Sequence, residues 1–124
     1  MQTTPNPTEI RLGPDKDRLS VAFADAGRFE FTAEFLRVMS PSAEVRGHSA
    51  ADAKTVGGRR GVRIREITPV GNYAIRIAFD DGHDTGIFSW SYFWTSGQDM
   101  EQIWAGYLAE LTDKGLDRDT PATV

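Results

Sequence analysis

Val62-Arg63-Ile64-Arg65-Glu66-Ile67-Thr68-Pro69-Val70-Gly71-Asn72-Tyr73-Ala74-Ile75-Arg76-Ile77-Ala78-Phe79 is the stretch that decides the fold. In its second half Tyr73, Ile75, Ile77 and Phe79 fall on one side and Ala74, Arg76 and Ala78 on the other. In its first half Val62, Ile64 and Ile67 stand against Arg63, Arg65 and Glu66. A period of two marks strands with one buried face. Pro69 to Asn72 supply turn chemistry between them. The stretch therefore predicts an antiparallel hairpin.

Downstream, Asp80-Asp81-Gly82 reads as a turn and Asp84 to Phe88 as a further strand. The period then changes. Ser89 or Ser91 can cap a short helix through Tyr92, Phe93 and Trp94, which Gly97 is expected to break. Gln98 to Lys114 carries Met100, Ile103, Trp104, Tyr107, Leu108 and Leu111 at spacings of three and four, as an amphipathic helix needs. Gly115 suits its C-terminal stop. Upstream, Glu9–Leu12, Leu19–Phe23 and Arg28–Phe31 alternate like strands, with turns at 13–17 and 25–27. Thr32 is placed to cap a short helix over Ala33–Arg37, and Ser40-Pro41 ends it. Residues 39–61, sprinkled with glycine and serine, read as one long loop. The pattern predicts an α+β domain: a mainly antiparallel sheet with a short helix and a C-terminal helix packed on one face. Residues 1–7 and 117–124 are expected to be flexible ends, and 8–116 a single domain.

The chain has 124 residues, 40% hydrophobic and 26% charged, which fits one globular domain. Its net charge of −4 argues against generic nucleic-acid binding. It has no cysteine, which excludes disulfides, thiolate catalysis and cysteine-held metal on this chain. No apolar run approaches the roughly 20 residues of a membrane span, and no secretory signal is visible, so a cytoplasmic location is expected.

Three blocks carry a resemblance. The first is Phe35-Leu36-Arg37-Val38-Met39-Ser40-Pro41-Ser42-Ala43-Glu44-Val45 with Gly47-His48. The second is Ile67-Thr68-Pro69-Val70-Gly71-Asn72-Tyr73-Ala74-Ile75, and the third is Phe79-Asp80-Asp81-Gly82-His83-Asp84-Thr85-Gly86-Ile87-Phe88-Ser89-Trp90. In this order they resemble the γ-butyrobetaine hydroxylase-like N-terminal domain family, stand-alone bacterial type, from about Thr8 to Leu111. In the enzyme that gives the family its name, the domain precedes a dioxygenase domain. There it holds zinc through three cysteines and the histidine of the third block. The resemblance puts Ser40, Ser42 and Val45 at the cysteine positions and His83 at the histidine. Serine is a poor zinc ligand and valine is none. Family members fused to P-loop ATPases that carry iron–sulfur clusters imply a role in cluster assembly or delivery.

Two sets of residues are candidates for function. His83, with His48, Asp81 and Asp84, could hold zinc or iron in place of the thiolates, since two imidazoles and a carboxylate suit such a site. The second set is basic. Residues 37–65 carry seven positive and two negative side chains, a balance of +5. Arg37, Arg46, Arg59, Arg60 and Arg63, with Trp94 as an aromatic anchor, could form a surface for an acidic protein partner. No serine lies in a Gly-x-Ser-x-Gly elbow, and no nucleophile–base arrangement stands out, so an enzyme is not expected. The expected function is a non-enzymatic binding or accessory domain, serving iron–sulfur assembly or a metalloenzyme. Its partner would be an iron–sulfur carrier or a dioxygenase. A metal-binding domain built on His83 is the alternative.

Overall fold

The computed structural model describes residues 6–24, 27–42 and 55–119. Six strands form two three-stranded antiparallel sheets, each a meander of sequence neighbours. The first contains β1 (Pro7–Leu12), β2 (Arg18–Phe23) and β3 (Gly27–Thr32). The second contains β4 (Ile64–Val70), β5 (Ala74–Phe79) and β6 (Gly86–Ser89). Three helices complete the described residues: α1 (Ala33–Val38), α2 (Trp90–Gln98) and α3 (Met100–Asp113). The α+β class follows the sequence pattern, with the strands divided between two sheets.

Alternation becomes burial on β2, where Leu19, Val21 and Phe23 face the core. The predicted hairpin is β4–β5, and it carries a refinement. Its register pairs Ile64 with Phe79 and Glu66 with Ala78, so Arg65 is an extra residue. Such a bulge turns two residues against one. It lets Ile64 and Ile67, three apart, face the same side as Phe79 and Ile77. Tyr73 departs from its expected place on the buried face. It lies in the turn before β5 and is 55% exposed.

Helix starts obey their capping chemistry. Thr32 Oγ1 accepts the Phe35 N–H at 3.0 Å, and Ser89 Oγ accepts the Tyr92 N–H at 3.1 Å. Helix α3 ends as predicted at Gly115, in the left-handed region with φ 68°. The Leu116 N–H bonds the Leu111 carbonyl, and the Gly115 N–H bonds that of Thr112. This pair of bonds is the Schellman closure. Gly97 does not break α2, contrary to expectation: the helix runs through it to Gln98. Glycine is there for packing, since a Cβ would lie 2.5–2.8 Å from the Phe29 ring.

The core is a run of rings joining the two sheets through α2. Phe31 of β3 meets Phe93 at 5.4 Å, Phe93 stacks on Phe88 of β6 at 6.1 Å, and Phe88 meets Phe79 at 6.5 Å. All four rings are fully buried. Pairs of this kind add roughly 0.5–1.5 kcal/mol each beyond their area. Backbone bonds also tie the halves, with the Ile64 N–H bonded to Lys16 O at 2.8 Å.

The chain beyond α3 is tied down as far as Asp119. The Gly58 N–H donates to Asp117 O, and the Arg60 N–H donates to Arg118 O. The first three residues of the expected tail therefore lie against residues 58–60.

Candidate functional site

The third sequence block folds as the turn between β5 and β6. Gly82 takes φ 95°, a region that favours glycine, and its N–H donates to Phe79 O. Asp81 Oδ1 accepts the His83 N–H at 3.1 Å, closing an Asx-type turn. Asp80 Oδ1 accepts the Arg63 N–H, which pins the turn to the start of β4. The turn is thus built by its own carboxylates.

Against it lies the segment that leaves α1. Ser40 Oγ and His83 Nε2 are 3.0 Å apart, Ser40 Oγ accepts the Ser42 N–H at 3.3 Å, and Ser42 Oγ lies 2.6 Å from Thr85 Oγ1. Ser40, Ser42 and His83 are all buried, His83 being 6% exposed. Gly86 is required here, since a Cβ would sit 2.5 Å from Ser40 Oγ. Three positions that the family resemblance marks as metal ligands thus converge in space, but as a hydroxyl–imidazole network. The donor chemistry is one imidazole and two hydroxyls already bonded to protein partners, which does not fit zinc. Val45 lies outside the described residues.

Asp81 Oδ2 anchors two guanidinium groups. Arg37 Nε donates to it at 2.7 Å. Arg59 Nε lies 2.8 Å from the same oxygen, at ion-pair distance but without hydrogen-bond alignment. Burial would raise the Asp81 pKa. The His83 N–H, the Arg37 hydrogen bond and the charges of Arg37 and Arg59 outweigh it and hold the carboxyl below its ordinary value.

The candidate residues therefore fare differently. His83 and Asp81 share one turn, but Asp81 is committed to arginine. Asp84 pairs with Arg76 at 3.1 Å. His48 and Arg46 lie outside the described residues. Among the described residues no group of three or more His, Cys, Asp or Glu is gathered to hold a metal. The basic set does not form one patch among the described residues. Arg37 and Arg59 turn inward to Asp81, Arg60 pairs with Asp119 at 2.6 Å, and the Arg63 residue is exposed. Trp94 packs edge-on against Phe23 and Phe29 at 5.2 and 6.2 Å.

Sequence reasoning missed a second region. Between β3, α1 and α3 lies a groove of about 440 Å³ with a floor of Phe35, Met100, Trp104, Ala105 and Leu108. Glu30, Glu34 and Glu101 stand around it. The Glu34 side chain is only 5% exposed and is gripped by Arg118, whose Nε and Nη2 donate to the two carboxylate oxygens at 2.8 and 2.6 Å. The Arg118 guanidinium lies 5.3 Å from the centre of the Trp104 ring. The sole sequence signal was the apolar stripe of α3, wider than one buried contact requires.

Known proteins share this architecture. The sequence profile described as gamma-butyrobetaine hydroxylase-like, N-terminal, matches residues 10–94, more than half of the chain. A solution NMR structure matches with a TM-score of 0.83 and 38% identity, over 98% of this chain and 96% of that one. A second NMR structure gives 0.80 and 37%, over 100% and 95%. A crystal structure of a protein of unknown function in the DUF971 family, from Acidithiobacillus ferrooxidans, gives 0.60 and 35%, over 75% and 93%. No curated protein matches.

Proposed function

Because the chain belongs to the γ-butyrobetaine hydroxylase-like, N-terminal family, and one similar solved protein is itself of unknown function, we propose that it is a non-catalytic accessory domain that docks on a protein partner. One observation carries this reading. The side chains that could do chemistry, His83, Ser40 and Asp81, are spent on internal bonds. The groove on α3, by contrast, is floored by apolar side chains, of which Leu108 is 37% exposed. Ser40 and His83 stand at the distance of a nucleophile–base pair, but both are buried away from any substrate. Concave apolar surface with a few placed polar groups is what a binding site requires.

The candidate partners are those that the sequence resemblance implies, an iron–sulfur carrier of the P-loop ATPase type or a 2-oxoglutarate dioxygenase. The test is a titration of isotope-labelled full chain with each purified candidate from the same genome, together with elemental analysis of untagged protein. The expected outcome is saturable binding to one candidate and no stoichiometric metal. Silence with both candidates, or one zinc or iron per chain with a chelator-sensitive melt, would overturn the reading. Among the described residues no helix is long and apolar enough to cross a membrane.

A further inference from the structure

We propose that the groove between α1 and α3 recognises an arginine-bearing apolar segment of a protein partner, and that Arg118 holds the guanidinium position until that segment arrives. This deepens the docking function proposed above and rests on it. Three features point the same way. Glu34 presents both oxygens to one guanidinium in a parallel two-bond fork, the geometry that selects arginine over lysine. The Trp104 ring supplies a face for the same cation. Beyond that point the groove continues over Met100, Ala105 and Leu108, room for an aliphatic side chain, with Glu101 beside it to repel an anionic ligand, while Glu30 at its edge is paired with Arg18 at 2.7 Å.

The present occupant indicates what can replace it. Arg118 stands beyond the last helix and is 28% exposed on its side chain. Its segment makes, among its contacts, two backbone bonds to residues 58–60 and the exposed Arg60–Asp119 pair. The carboxylate beneath it is almost wholly buried. A buried carboxylate stripped of its partner is strongly unfavourable, so Arg118 leaves at least cost when another cation takes its place, and the two-bond fork favours a guanidinium. The site thus prefers an arginine ligand over a lysine one.

The test uses full chain and the Arg118→Ala variant, with the Trp104 indole N–H followed by NMR. The probes are N-acetyl-arginyl-leucine amide and N-acetyl-lysyl-leucine amide. The arginine probe is expected to shift the indole signal saturably in R118A, about tenfold more tightly than in the unmodified chain, which must first release its own arginine. The lysine probe is expected to bind about tenfold more weakly than the arginine probe, a difference of roughly 1.4 kcal/mol. No saturable shift in folded R118A, or equal binding of the two probes, would overturn the proposal. If R118A does not fold, Arg118→Lys keeps a cation at Glu34 and serves instead. The arginine probe should then bind R118K more tightly than the unmodified chain, and equal binding sinks the idea. A carrier or dioxygenase that binds without competition from the arginine probe removes this site but leaves the docking function. Probe binding with no response to either candidate does the reverse.

Discussion

At the scale of single residues, the Ser40–His83 bond and the Asp81 carboxylate hold the turn in place. Ser40→Ala removes a buried hydroxyl from the imidazole and should cost about 1–3 kcal/mol, read from denaturant midpoints. Asp81→Asn should cost about 2 kcal/mol. That is less than the roughly 3–5 of a fully buried broken pair, since the Asp81 side chain is 21% exposed. The sign with pH follows from the carboxyl being held below its ordinary value. A depressed acid contributes its full stability above about pH 4, its unfolded value, and loses it as pH falls through the folded value. The gap between the parent and D81N should therefore narrow in acid, and a gap that widens there would contradict the arrangement. The caps at Thr32 and Ser89 were legible because capping is local. The meeting of Ser40 with His83 was not, since 43 residues separate them. Nor was the burial of Glu34, because charged residues on a short helix ordinarily face water and its partner stands 84 residues on.

At the scale of elements, two helical glycines make opposite predictions. Gly97→Ala gains up to about 1 kcal/mol of helix propensity. Its new methyl, however, would meet ring atoms of Phe29 near the base of that side chain, at 2.5–2.8 Å. Overpacking of this kind costs about 1–3 kcal/mol, so G97A should be destabilising on balance. A methyl added at Gly106 of α3 would meet nothing within 4 Å. Gly106→Ala should therefore stabilise by about 0.5–1 kcal/mol. Thermal melts of both variants decide the matter, and equal signs would refute the packing account. Strand and helix types were legible because periodicity reports directly on the buried face. The bulge at Arg65 and the continuation of α2 through Gly97 were not. Both depend on what packs opposite, which a single segment does not encode.

At the scale of the whole molecule, α3 and residues 55–58 are joined by Tyr107, whose hydroxyl donates to Val56 O at 2.6 Å. Burial, helped by the Glu34 charge, pushes its pKa up to about 12. A raised acid contributes stability that is complete below about pH 10, its unfolded value, and is lost as pH climbs towards 12. Tyr107→Phe should flatten that part of the alkaline limb, measured as denaturant midpoints at pH 9 and 11, and a limb of unchanged steepness would exclude Tyr107 as its source. The class of the fold was legible end to end, whereas the groove was not, because it is made by elements from opposite ends of the chain. The two meanders have a kinetic consequence. Among the described residues every strand ladder closes between sequence neighbours, within residues 7–32 or 64–89. Short closures cost little chain entropy, so each sheet can form early and on its own. Docking of the ring seam then becomes the late step. Two peptides divided between residues 42 and 55 would each keep complete ladders, and their association on mixing would report that docking step separately from strand formation.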